Sequence, residues 1–234
     1  MGKSVVISGY YGFDNLGDEA ILYSIIKLLK KKRDNIEITV LSQSPQLTVE
    51  RYGVNAVDRN NLAVISKVLN KSQLFLSGGG SLLQDITGLK SVPYYLGLVW
   101  LARLMGNKTA FYAQGIGPLN HRFSRFLLSW IGKRTDLITV RDNDSLKLLS
   151  EIGLEGDLVK ETVDPVYGLA SSEIENRVKS NKIKEFIEAE KIDSDETIIG
   201  ISVRPWGSNQ YLSAVARAAD YLADKFADKI IIIP

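Results

Sequence analysis

Ser4-Val-Val-Ile-Ser-Gly-Tyr-Tyr-Gly-Phe-Asp-Asn-Leu-Gly-Asp-Glu-Ala20 runs from an apolar strand through a glycine-rich turn into a helix. Val5, Val6 and Ile7 are β-branched, which suits a strand covered on both faces. Gly9, Gly12 and Gly17 permit tight turns and close backbone approach, and the first amides of the helix lack an intrahelical acceptor. Asn15 and Asp18 are each suited to cap it. The junction therefore presents backbone donors at a strand end. Asp14, Asp18 and Glu19 crowd that place with negative charge, which argues against a phosphate seated directly on it and favours hydroxyl groups, as on a sugar. The spacing is not the G-x-G-x-x-G of a dinucleotide turn. A well-capped helix start with no ligand is the alternative.

Strand-like runs recur at Glu37 to Leu41, Leu74 to Ser77, Thr109 to Ala113, Leu137 to Val140 and Leu158 to Val163. Helical patterns lie at Glu19 to Lys32, Leu62 to Leu69, Pro93 to Met105, Arg122 to Lys133 and Asp144 to Ile152. This alternation predicts an α/β fold, a Rossmann-like parallel sheet with right-handed crossovers and helices on both faces. Ligands of such sheets lie beyond the carboxyl ends of the strands. Residues 1–169 are expected to form this substrate-binding domain. Residues 170–195 are polar and charged and read as a linker helix centred on Ile174 to Glu190. Over 196–234 a new β-α-β unit begins, with strand Thr197 to Val203, helix Leu212 to Phe226 and strand Lys229 to Ile233. That last apolar strand reads as part of a second Rossmann-like domain continuing past Pro234.

At 234 residues the chain can bury a large core. Its net charge of +2 gives no sign of nucleic-acid binding. Cysteine is absent, which excludes disulfides, thiol nucleophiles and zinc-thiolate sites here and fits a cytoplasmic protein. His121 is the single histidine, so a histidine metal cluster or a Ser-His-Asp triad is disfavoured. No metal site is expected, because the acids near the loops serve equally well as caps or sugar acceptors. Val5 to Ile7 is too short for a secretory signal, and Pro93 to Met105, which contains Arg103, falls short of bilayer thickness.

Other strand ends repeat the first design. Gly78, Gly79 and Gly80 follow Ser77 and expose amides able to cradle an anion, with Gln84 and Asp85 as polar contacts. A plain tight turn is the alternative. In Ala113-Gln-Gly-Ile-Gly-Pro118, Gln114 offers a donor and an acceptor beside Gly115, and Pro118 is placed to start the next helix. Arg141 stands at the end of a further strand, where its guanidinium can hold a carboxylate or phosphate in two contacts, or pair with Asp142 or across domains. Asp142 or Asp144 can cap the helix that follows. Arg204 opens the second unit in a similar way, and Trp206 can stack on a sugar or pack a hinge. Asp164-Pro165 reads as shaping a crossover. Residues 122–134 form a basic amphipathic helix, suited to an anionic membrane or to a solvated rim.

Taken in order, Gly12 to Ala20, Ser77 to Asp85, Ala113 to Pro118, Val140 to Ser145, Asp164-Pro165 and Ser202 to Trp206 resemble the polysaccharide pyruvyl transferase family, particularly its bacterial cell-wall, CsaB-like branch. The resemblance implies a GT-B-like two-domain architecture. It implies transfer of a pyruvyl group from phosphoenolpyruvate, the donor substrate, to a hydroxyl pair on N-acetylmannosamine in a lipid-linked cell-wall precursor, with no cofactor. Arg141 is then the expected anion clamp and Arg204 the second candidate. Asp14, Asn15, Gly17, Asp18, Gly78, Gly79, Gly80, Gln114 and Gly115 form the expected binding shell. The family's acid/base histidine lies in an Arg-Leu-His type motif that this chain lacks, and His121 does not match it. Residues 1–234 alone are therefore expected to bind weakly without turnover. The expected location is cytoplasmic, with the basic helix at residues 122–134 available to the inner membrane face. A GT-B glycosyltransferase using a nucleotide sugar and a non-catalytic sugar-binding module are the rival readings.

Overall fold

Alternation along the first strand sets the layering. In a computed structural model describing residues 3–86, 88, 90–169, 181–193, 195–203 and 209–233, Val5 and Ile7 of β1 (Lys3–Ser8) enter one buried cluster and Val6 enters another. The first cluster takes Leu22 and Ile25 of α1 (Leu16–Lys32). The second takes Ile65 of α3 (Leu62–Leu69), Leu96 of α4 (Ser91–Leu104), Leu128 of α5 (Arg122–Gly132) and Leu149 of α6 (Asn143–Glu151). Each such side chain, fully buried, contributes about 1.5–3 kcal/mol.

The strands lie in the order β3-β2-β1-β4-β6-β7-β8, all parallel, with β5 (Gly80–Leu83) also paired to β6. The remaining members are β2 (Ile36–Ser42), β3 (Asn55–Asp58), β4 (Leu74–Ser77), β6 (Lys108–Ile116), β7 (Leu137–Val140) and β8 (Val159–Glu161). Parallel pairing puts every carboxyl end on one edge.

Among the described residues the structure adds one α-helix and two strands to the expected set. One is α2 (Pro45–Tyr52), which begins on a proline and stops at left-handed Gly53, φ +60°. Its interior Thr48 and Val49 are weak helix formers, which masked it. Another, β3, is a four-residue edge strand beginning on asparagine. The third, β5, starts on Gly80 with φ +93°, so the turn after β4 is shorter than the triple glycine suggests.

The chain divides into compact units Met1–Ala170 and Ser171–Pro234. The second contains α7 (Asn181–Ala189), β9 (Ile198–Ser202), α8 (Leu212–Phe226) and β10 (Lys229–Ile233), with β9 and β10 parallel. The first part of the expected linker helix lies outside the described residues. Lys229 Nζ pairs with Glu196 at 2.7 Å and donates to the Glu190 carbonyl at 3.3 Å.

Candidate active site

The carboxyl edge of the sheet gathers the loops after β1, β4, β6, β7 and β8 into one rim. Asn15 caps α1, its Oδ1 accepting from the Gly17 and Asp18 amides at 3.1 and 3.2 Å. Asp18 is therefore not the cap. It lies in the first turn, its Oδ1 2.9 Å from where a Cβ on Gly80 would stand, so α1 abuts the turn after β4. Asp14, with φ +61°, is paired to Arg51 at 2.8 Å on the surface. Glu19 is buried, accepting from the Gly12 amide at 2.8 Å and the Tyr52 hydroxyl at 2.5 Å, so it holds the loop shut.

Tyr11 is the pivot of the rim. Its ring fills the space over Gly9 and Gly78, where a Cβ would stand 2.3 Å from its Cζ and 2.2 Å from its hydroxyl. The hydroxyl is buried without a hydrogen-bond partner among the described residues. Burial, with Asp18 close by, pushes this phenol well above its ordinary range and keeps it neutral.

Gln114 is fully buried and turned inward. Its Nε2 donates to Ser77 Oγ at 2.7 Å and to the Ser77 and Gly78 carbonyls at 3.1 and 3.0 Å, tying β6 to the glycine turn. Gly79 is closed in by Ile21 and the Ala113 carbonyl, at 3.0 and 3.3 Å from a Cβ built there.

Arg141 leaves the end of β7 with its side chain 26% exposed. Its partner is Asp164, not Asp142: Nη1 donates to Asp164 Oδ2 in a short contact, and Nη2 donates to Ser81 Oγ at 3.2 Å. Gly115 leaves the room this guanidinium uses, since a Cβ there would stand 3.3 Å from Nε and Nη2. Asp142 caps α6 by accepting from the Ser145 amide at 2.8 Å, which removes Asp144 as the cap. Beside Arg141 opens a cavity of about 500 Å³ lined by Ser81, Gly115, Gly117, Asp142, Ser145 and Arg125 among others.

Asp85 anchors the segment leading into α5, accepting from the Asn120 and His121 amides at 2.9 Å each. Burial works to raise this carboxyl, but those amides and the Ser124 hydroxyl hold it below the usual carboxylate range. Pro118 does not open the helix, which starts at Arg122. Arg204 and Trp206 lie outside the described residues. Among the described residues no group of three or more His, Asp or Glu is placed to hold a metal ion, and no helix is long and apolar enough to cross a membrane.

Sequence reasoning passed over Arg59. It follows β3 directly, so the overlooked strand hid its position on the rim.

A family profile described as polysaccharide pyruvyl transferase matches residues 15–234. The chain belongs to the polysaccharide pyruvyl transferase family. As a member of this transferase family it carries the rim from Asn15 through Asp164 inside the matched region, with Tyr11 and Gly12 just before it. None of the curated proteins matches the sequence. Among solved structures, UDP-GlcNAc 2-epimerase from Methanocaldococcus jannaschii aligns with a TM-score of 0.70 at 14% identity, covering 100% of this chain and 66% of that one. The UDP-GlcNAc 2-epimerase from Neisseria meningitidis bound to UDP-GlcNAc gives 0.64 at 16% identity, over 99% of this chain and 65% of that one. Anabaena Alr3699/HepE in complex with UDP gives 0.55 at 12%, over 99% and 68%. The chain thus spans about two thirds of the length of these proteins, and the likeness is one of fold: GT-B-like, with Rossmann-type parallel sheets.

Proposed function

We propose that this pyruvyl transferase family member, of the CsaB-like branch, moves the pyruvyl group of phosphoenolpyruvate onto two hydroxyls of an N-acetylmannosamine unit in a lipid-linked cell-wall precursor. The observation that carries the reading is Arg141, a partly exposed guanidinium beside a cavity, on the same rim as the glycine turns. Protonation of the enol methylene yields an oxocarbenium-like centre, which one hydroxyl attacks. Phosphate leaves, the second hydroxyl closes the ketal, and the two hydroxyl protons balance the new methyl hydrogen and the phosphate. Arg141 holds the carboxylate or phosphate of the donor by giving up its 3.2 Å bond to Ser81, while Asp164 keeps it oriented. Asp14 supplies an acceptor and Asn15, whose Oδ1 is taken by the helix amides, an Nδ2 donor toward sugar hydroxyls, and Gln114 acts by shaping the Gly78 to Gly80 turn. Arg204 is the second candidate for holding the donor anion.

The acceptor's lipid carrier suits a cytoplasmic enzyme resting on the inner membrane face. Phe123 and Phe126 on α5 are each 64% exposed, with Arg122, Arg125 and Arg134 alongside. The test is phosphate release from phosphoenolpyruvate by the complete natural protein, with and without an N-acetylmannosamine-containing acceptor. Acceptor-dependent phosphate release is expected. Release of nucleoside diphosphate from a nucleotide sugar, with none of phosphate, would establish the glycosyltransferase reading instead.

A further inference from the structure

We infer that Tyr10 and Phe13 form a preassembled stacking platform for a sugar ring, clamped from beneath by Arg59. The inference rests on the carbohydrate acceptor proposed above and names the surface that would hold it. The two rings lie parallel, with centroids 3.9 Å apart and an interplanar angle of 1°. Phe13 in turn lies over the Arg59 guanidinium, 5.0 Å from its Cζ, and the same Cζ is 4.7 Å from the Tyr94 ring and 5.5 Å from that of Tyr95.

Arg59 is 8% exposed, and among the described residues no carboxylate pairs with it. Its Nη1 donates to the Gly9 carbonyl and its Nη2 to the Tyr95 hydroxyl, each at 3.3 Å. Its backbone is fixed as well: the amide donates to the Ser42 carbonyl at 3.0 Å and its carbonyl accepts from the Tyr94 hydroxyl at 2.8 Å. A desolvated cation without an acid is costly, and aromatic faces are the compensation this site provides. The attraction fixes Phe13, and through it Tyr10, before any ligand arrives.

The outer surfaces point to an occupant. Tyr10 and Phe13 remain 40% and 38% exposed on a loop whose neighbour Tyr11 is wholly buried. Two large rings stacked in the open gain little from burial, so their exposure is the informative feature. Their edge is polar: the Asp14 side chain is 74% exposed and Asn15 follows it. A pyranose matches that pattern, with a face of C–H bonds for the ring and hydroxyls around its rim for the carboxylate and amide.

The experiment is saturation-transfer NMR with titration of N-acetylmannosamine, without donor, on the natural protein and its Tyr10→Ala, Tyr10→Phe and Phe13→Ala variants, with uridine as a parallel probe. Saturation is expected on the sugar C–H protons, with binding about tenfold weaker in Tyr10→Ala and preserved in Tyr10→Phe. Near-ultraviolet circular dichroism and melting temperature confirm that each variant is folded, and Tyr10→Phe serves where Tyr10→Ala is not. Undiminished sugar binding in Tyr10→Ala, no binding to the natural protein, or saturation of uridine alone overturns the platform. Tyr10-dependent sugar binding in a protein that releases no phosphate from phosphoenolpyruvate keeps the platform and removes the transferase reading.

Discussion

Arg141 and Arg59 stand near opposite ends of the strand order, one after β7 and the other after β3, and their surroundings differ. Arg141 is paired with a carboxylate and partly exposed beside a cavity, whereas Arg59 has rings on its faces, neutral acceptors at its tips and almost no solvent. An arginine held by an acid and a weak hydroxyl contact can exchange the latter for a substrate anion. One enclosed by aromatics cannot, and its charge organises the loop above it. The same residue type thus serves chemistry at one end of the rim and architecture at the other.

The largest expected effect tests the chemical end. Arg141→Ala should lower kcat/KM for acceptor-dependent phosphate release by about 100-fold or more, with Arg141→Lys recovering only part, because a lysine cannot reproduce two divergent contacts. An Arg141→Ala enzyme within threefold of the natural one would erase the distinction.

Between the two arginines, Gly78→Ala should destabilise the protein by about 2–3 kcal/mol, read as a shift in denaturant midpoint, since the new methyl meets the Tyr11 hydroxyl. Adding Tyr11→Phe should recover much of the loss: the next contacts, the Tyr11 Cζ and the Ser8 carbonyl, are both 3.3 Å away. Additive losses would mean that Tyr11 is not the obstacle.

At the architectural end, Arg59→Met should cost about 1–3 kcal/mol of stability and leave no orphaned carboxylate behind. Its mark should be a changed near-ultraviolet signal from the Tyr10 and Phe13 stack. An unchanged spectrum would separate the stack from its cation.

The smallest effect concerns the Asp85 anchor ahead of α5. Its carboxyl is held below the ordinary value when folded, so its contribution is present above the unfolded value near 4 and is lost as pH falls through the folded one. Asp85→Asn should therefore cost about 1 kcal/mol at pH 7, a loss that shrinks as pH falls through the folded value. A difference that grows toward acid would refute the anchoring role.

Much of this was legible in the sequence because strand and helix periods alternate cleanly where the core is built. The bounds of β4, β7 and α3 agree with the expectation residue for residue, since each is a dense apolar run between polar breaks. Short, half-buried elements carry too little periodicity, so β3 went unseen and Arg59 with it. The rim was predictable because strand ends in a parallel sheet must share an edge. Which polar groups face outward was not, since that depends on distant partners: Gln114 turns toward Ser77, Asp85 reaches α5, and Arg141 finds Asp164 rather than its neighbour Asp142.

The Tyr11 ring, seated over Gly9 and Gly78, links its own loop to a turn far along the chain. A side chain at either glycine is tolerable only if residue 11 shrinks, so across the descendants of one ancestral gene these sites should drift as a trio. Any homologue with alanine at the first or third should carry a smaller residue at the second.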